Sequence, residues 1–262
     1  MNTATTHQPQ VGTSLPAPRP VPLTRLIHVE LRKMVDTLAG RWLVIVTLLI
    51  ALAIMALAIT FGDVGVVEVT MNLGVVAVAF AILLPVIGIM AATAEWSQRA
   101  GLVTFTLEPR RWRVIVARVM AGALLGTIVV LLSMALAYLV TAVCGLFGMT
   151  TSYSLSGPMA VGFLAMMVLL VLQGIGFGFV FLNTPLAVVS LLALPTVMSI
   201  LHGVWSRMET IGPWIDLNAA ASPLLNGSMS GTEVAQLGSA SLLWIVLPLL
   251  IGAWRVMRRE VK

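Results

Sequence analysis

Residues 95–107 carry side chains whose types and spacing fit docking to another protein. Glu95 and Arg99 are four residues apart, in the order that favours an ion pair along a helix. Pro109 would end such a helix. Apolar side chains recur through the segment at near-helical spacing: Trp96, Ala100, Val103 and Leu107. The pattern predicts a short helix with one apolar face, which suits insertion into a groove on a partner.

The sequence RRWR, residues 110–113, follows this segment directly. Basic and aromatic residues anchor helix ends at a membrane surface, and this role alone would account for Arg110 and Arg111. It does not account for the semi-apolar, helix-like residues before them. Two interpretations therefore stay open, an anchored loop and a docking segment. In the second, the partner-coupling residues are Glu95, Trp96, Arg99, Val103, Leu107, Arg110 and Arg111.

Catalytic and metal-binding patterns are missing from the sequence. It contains no HExxH, no GxSxG and no pair of Asp residues within an apolar run, which argues against a membrane protease or hydrolase. A phosphate loop needs a Lys, and the only two, Lys33 and Lys262, lie in the wrong settings. One Cys and three His give no ligand cluster. We expect no enzymatic activity, cofactor, metal or nucleic-acid partner; if ATP drives this protein, another chain binds it.

The composition indicates a membrane protein. Of 262 residues, 59% are hydrophobic and 10% are charged, whereas soluble domains carry roughly 25% charged residues. Crossing a bilayer takes roughly 20 residues, and the third apolar run is long enough for one extended or tilted helix. The Asn183–Pro185 break predicts a tight hairpin between the fourth and fifth runs. The sequence thus predicts an all-α, polytopic protein with six transmembrane helices, at Trp42–Phe61, Met71–Ala94, within Val114–Phe147, Pro158–Leu182, Leu186–Val204 and Leu237–Trp254.

Basic residues give the predicted orientation. With both termini in the cytoplasm, fourteen of the fifteen Lys and Arg residues fall on the inner side and only Arg207 falls outside. Residues 95–113 then form a cytoplasmic link, 206–236 form an outer segment and 259–262 are a cytoplasmic tail. The predicted location is the plasma (inner) membrane.

Two further segments precede the first apolar run. Residues 1–22 contain five prolines among Thr, Gln and Ala, a composition typical of a disordered tail. Residues 23–41 are periodic, with Leu23, Ile27, Leu31 and Met34 on the apolar stripe. Gly40 could end this helix. The pattern predicts an interfacial amphipathic helix whose basic residues lie near membrane lipid, or a helix packed on another protein.

Small and polar residues within the spans allow two interpretations. Gly122 and Gly126, like Gly174 and Gly178, are four residues apart, the spacing that lets membrane helices pack closely. We expect helix packing from all four. Tyr138 and Gln173 are polar side chains that would contact a substrate if they faced a translocation path, and would otherwise bind neighbouring helices.

Glu95, Thr106–Leu107 and the Pro109–Arg111 step into the third span resemble the permease subunit of ABC type-2 exporters, particularly actinobacterial ones. The stretches RLIHVELRKMVDT, LNTPLAVVSLLALP and GPWIDLNAAASPL also match in character, and the resemblance covers about residues 23–258. It implies a six-span permease domain at residues 42–258 with a coupling helix within 95–113. It implies an ATP-binding-cassette ATPase subunit and a second permease, identical or related, as partners. It also implies re-entrant outer helices within 206–236, where an ordinary surface loop is the alternative.

These expectations lead to one leading functional hypothesis and two alternative functions. The leading one is an exporter subunit that forms the translocation path for a hydrophobic or amphipathic substrate, because the spans offer apolar surface and few charges. The alternative is a membrane scaffold or sensor-anchoring protein that binds a cytoplasmic partner and transports nothing. An independent pore is disfavoured, because no span carries a polar stripe.

Overall fold

The computed structural model describes residues 21–62, 64–97 and 110–258, with the backbone alone at 95–97. This part of the chain is almost entirely helical, and six helices are long and apolar enough to cross a membrane. Spans 1 to 6 run over Leu38–Phe61, Val69–Ala94, Arg111–Leu146, Gly157–Phe181, Thr184–Val204 and Gly231–Arg258. The chain is therefore an all-α protein of the multi-pass membrane type.

Spans 3 to 5 agree with the sequence pattern. Span 3 is one uninterrupted helix of 36 residues, about 54 Å long at 1.5 Å per residue, and so longer than the roughly 30 Å hydrocarbon layer. Span 4 ends at Phe181 and span 5 begins at Thr184, which makes the predicted tight hairpin. Leu182 takes the left-handed conformation at φ 51°, and the Asn183 side chain accepts a hydrogen bond from the backbone N–H of Leu186.

The N-terminal helix ends earlier than predicted. It spans Leu23–Asp36, and Thr37 has extended backbone and caps span 1 by accepting a hydrogen bond from the N–H of Gly40 at 3.1 Å. The expectation that Gly40 ends the helix is wrong, because Gly40 lies in the first turn of span 1. A Cβ on Gly40 would lie 1.7 Å from the carbonyl oxygen of Met34, so the glycine permits the sharp corner.

Spans 2 and 4 form the centre of the bundle, while spans 1, 5 and 6 are mostly exposed. The two central helices approach through glycine. A Cβ on Gly174 would lie 2.0 Å from the carbonyl oxygen of Pro85, and one on Gly88 would lie 2.3 Å from that of Val171. A side chain at either position would overlap the backbone of the other helix, so these two glycines set the spacing between the helices.

One end of the bundle carries the N-terminal helix together with Arg111, Arg118 and Arg255, and we call it the basic end. At the opposite end, two-residue strands Val67–Glu68 and Thr151–Ser152 pair in parallel. Short helices Met208–Ile215, Leu217–Ala221 and Ser222–Asn226 follow span 5. Whether they enter the bilayer stays a prediction.

Span 6 begins six residues before its predicted start, inside the predicted outer segment. Ser230 and Glu233 form a capping box, in which the Ser230 side chain accepts from the N–H of Glu233 and the Glu233 carboxylate accepts from the N–H of Ser230. A π-helical turn over Leu242–Val246 interrupts the span. It contains Trp244, which stacks on Phe177 of span 4 and donates a hydrogen bond to the carbonyl of Ile215.

Candidate functional site

A buried ion pair joins the N-terminal helix to span 3. The Nε of Arg118 donates to Oε2 of Glu30 at 3.0 Å, and these side chains are 5% and 6% exposed. The Nζ of Lys33 donates to the other carboxylate oxygen at 2.7 Å, and its side chain is 42% exposed. Both oxygens of Glu30 are therefore bound by cations. This contact fixes a helix that the sequence alone placed on lipid or on another protein.

Glu30 is a residue of the candidate site that sequence reasoning missed. It lies three residues after Ile27 and four before Met34, so it belongs to the face that the stripe Leu23, Ile27 and Met34 defines. Glu30 and Met34 are the buried residues of the N-terminal helix. An acid on an apolar helix face needs a cation when buried. The only cation within a predicted span was Arg118, and the pairing could have been proposed from those two facts.

Three further arginines at the basic end bind backbone carbonyls of distant elements. Arg111 donates to the carbonyls of Val256 and Met257 at 3.1 and 3.3 Å, near the end of span 6. Arg113 donates to the carbonyl of Val21, and Arg255 donates to that of Val180 near the end of span 4. Terminal helix carbonyls lack intrahelical partners, so arginine is well suited to them. These arginines therefore stabilise the bundle in addition to any anchoring by lipid.

Of the predicted partner-coupling residues, the structure describes those at the two ends of the link. Span 2 continues as helix through Glu95 and Trp96 to Ser97. Arg110 is exposed immediately before span 3, and Arg111 starts that helix. Arg99, Val103 and Leu107 lie outside the described residues. The link therefore leaves span 2 and enters span 3 at the basic end, beside the Glu30–Arg118 pair.

A cavity of about 90 Å³ lies between the N-terminal helix and the end of span 2. Glu30, Lys33 and Arg118 form its charged part, and its apolar part includes Val44, Ile87 and Leu125. Hydroxyl groups also line it. The Oγ1 atoms of Thr93 and Thr184 are 2.7 Å apart, and because Thr93 donates to the carbonyl of Ile89, Thr184 must donate to Thr93. The cavity is thus charged on one side and apolar on the other.

The four glycines predicted for helix packing all lie at close contacts between spans. A Cβ on Gly122 of span 3 would lie 2.5 Å from the side chain of Ile175 in span 4. A Cβ on Gly126 of span 3 would lie 2.7 Å from the side chain of Val171 in span 4. A Cβ on Gly178 would lie 2.6 Å from the Cβ of Ala92 in span 2, and a Cβ on Gly174 would lie 2.0 Å from the carbonyl oxygen of Pro85 in span 2. Span 4 is therefore held between spans 2 and 3.

The structure separates the two residues predicted for a translocation path. Gln173 is 5% exposed in the middle of span 4, whereas Tyr138 is 38% exposed on span 3. Neither of them lines the cavity at the basic end. Another polar residue is fully buried: the Asn72 side-chain amide donates to Oγ1 of Thr141 at 3.1 Å, and its Oδ1 has no partner among the described residues.

The charged groups of the described residues join elements that are distant in the sequence. Within the described ranges, no three His, Cys, Asp or Glu side chains group as metal ligands. Charged groups instead concentrate where the N-terminal helix, span 3 and the ends of spans 4 and 6 meet. No family model and no curated protein matches this chain.

Proposed function

We propose that this chain is the membrane-spanning permease subunit of an ATP-binding-cassette exporter. A separate ATPase subunit would supply the energy, and a second permease, identical or related, would complete the translocation path. The proposal starts from the resemblance of Glu95, Thr106–Leu107 and Pro109–Arg111 to that class of exporter. The six apolar helices are compatible with it.

The observation that carries the proposal is the position of the span 2–span 3 link at the basic end. Span 2 extends as helix to Ser97, and span 3 starts at Arg111, next to the ends of the N-terminal helix and span 6. A force applied to this link would reach span 6 through Arg111, and it would reach the N-terminal helix and Val21 before it through Arg118 and Arg113. Span 2 is also one of the two central helices, in backbone contact with span 4.

The proposed mechanism follows from these contacts. ATP binding would draw two ATPase subunits together and pull the link, and the permease halves would move between inward-open and outward-open states. The close glycine contacts would make spans 2, 3 and 4 move as one body. The substrate would be hydrophobic or amphipathic, because the path would be built from spans that contain few charges.

The first test is co-purification and reconstitution with the ATPase subunit. We expect the purified chain alone to hydrolyse no ATP, and we expect the ATPase rate of the partner to rise in its presence. A tightly bound partner without ATPase activity would contradict the proposal and favour the scaffold.

The second test uses the docking residue Trp96. Truncating an interface aromatic costs roughly 2 kcal/mol, or about thirtyfold in affinity. Trp96→Ala should therefore insert normally but lose crosslinking to the ATPase subunit and lose transport. Trp112→Ala is the matched control, because Trp112 is an exposed aromatic at the start of span 3 and should retain both. Normal crosslinking and transport by a Glu95→Ala, Trp96→Ala variant would return the link to a simple anchored loop.

A further inference from the structure

We propose that the cavity at the basic end binds the headgroup of an anionic phospholipid. The inference uses the cavity itself and does not depend on whether the chain transports a substrate. The ligand would enter from the surrounding membrane, with its phosphate at Lys33 and its first apolar carbons toward Val44 and Ile87.

The size of the cavity limits what can enter. Its volume is about 90 Å³, and roughly 10–15 Å³ of such space is enough to admit one water molecule. A headgroup phosphate or the first part of a chain fits this space, whereas a whole lipid does not. The rest of the lipid would lie along the exposed surface of the bundle, where spans 1 and 5 are largely unburied.

The charge and polarity of the lining select the headgroup. Among the lining residues that the structure describes, Lys33 and Arg118 are basic and Glu30 is acidic. The Lys33 side chain is 42% exposed, so its ammonium group, which binds Glu30, can also be reached by a phosphate from outside the cavity. Basic pockets between membrane helices are typical sites for anionic headgroups.

The depth of the cavity matches that of a lipid headgroup. Its walls are the N-terminal helix, the corner at Thr37 and Gly40, the end of span 2 and the start of span 5. These are the points at which apolar spans begin and end, where headgroups meet acyl chains. Because residues of both the N-terminal helix and span 2 line the cavity, a bound headgroup would contact these two elements together.

The test compares two adjacent basic residues on one helix. Lys33 lines the cavity, whereas Arg32 is exposed and pairs with Asp36 at 3.3 Å. The full-length chain in neutral detergent would be titrated with phosphatidylglycerol, and bound lipid would be counted by native mass spectrometry. We expect Lys33→Gln to weaken binding about fivefold, the change that about 1 kcal/mol per basic residue corresponds to. Arg32→Gln should stay within about twofold of the unmodified chain, since it removes the same charge outside the cavity.

Two controls complete the test. Phosphatidylcholine should bind Lys33→Gln and the unmodified chain equally, and inorganic phosphate should not displace phosphatidylglycerol. Equal losses in Lys33→Gln and Arg32→Gln would show a general charge effect and overturn the proposal. Unchanged binding in Lys33→Gln would also overturn it, and full displacement by inorganic phosphate would show that the site takes a soluble anion instead of a lipid.

Discussion

At the basic end of the bundle, charged side chains join elements far apart in the sequence, whereas the opposite end is held by local caps and close backbone contacts. Glu30 and Arg118 are 88 residues apart, and Arg111 and Val256 are 145 apart. At the opposite end, Ser230 and Glu233 are three residues apart, and Gly162 of span 4 lies against the backbone of Leu224. The contacts between distant elements at the basic end should therefore respond to changes of charge, and those at the opposite end to changes of volume.

This difference suits the roles that we propose for the two ends. Ion pairs and arginine–carbonyl bonds can break and re-form in new geometries, so an end built from them can transmit movement between helices. A contact in which a glycine touches backbone tolerates no displacement toward its neighbour. We therefore propose that the basic end is the one where a partner acts.

Among the contacts that join distant elements at the two ends, the largest effect is expected at Gly162. A Cβ there would lie 1.9 Å from the carbonyl oxygen of Leu224 and 2.8 Å from its carbonyl carbon. Gly162→Ala should lower the free energy of unfolding by about 4 kcal/mol, above the 1–3 kcal/mol that is usual for overpacking, because backbone must move. Unfolding in mixed micelles would measure it. Gly74→Ala is the matched control: Gly74 also lies in a span and has no atom near its Cβ position, so the change should be neutral or stabilising.

The next effect is expected at the buried ion pair. Glu30→Gln should lower the free energy of unfolding by about 3 kcal/mol, the low end for breaking a buried pair, because Arg118 stays charged and buried. Asp36→Asn removes a charge from the exposed Arg32–Asp36 pair of the same helix and should cost less than about 1 kcal/mol.

A double variant separates the ion pair from the shape of the side chains. Glu30→Gln combined with Arg118→Gln should recover at least half of the loss, because neither residue is then a buried charge without its counter-charge. Equal effects of Glu30→Gln and Asp36→Asn, or additive losses in the double variant, would contradict the distinction between the two ends.

The smallest effect is expected at the cap of span 6. Ser230→Ala removes the side-chain acceptor of the capping box and should lower the free energy of unfolding by about 1 kcal/mol. Thr232→Ala, at an exposed position in the first turn of the same helix, should change it by less than about 0.5 kcal/mol. A loss at Ser230 as large as that at Glu30 would show that local caps matter as much as the ion pair.

The sequence predicted what depends on local pattern. Apolar runs gave the six spans and the single long helix of span 3, and the Asn183–Pro185 break gave the hairpin. The capping box at Ser230 and Glu233 was an unused local signal, so the start of span 6 was placed too late. Gly162 was not recognised and Gly40 was assigned to a helix end, because a glycine against another element's backbone looks like any other glycine in the sequence. Glu30 on an apolar helix face and Arg118 within a span were also unused signals, because periodicity alone does not say which two elements meet.

The central claim is that the basic end faces the cytoplasm, where an ATPase subunit can reach the span 2–span 3 link. The chain has one Cys, so a Cys144→Ser background allows single-site labelling. Gly65, near the short strands of the opposite end, and Arg110, at the basic end, are both exposed. With a membrane-impermeant maleimide on intact cells, Gly65→Cys should be labelled at once and Arg110→Cys only after permeabilisation. Labelling of Arg110→Cys on intact cells, with Gly65→Cys protected, would contradict the account.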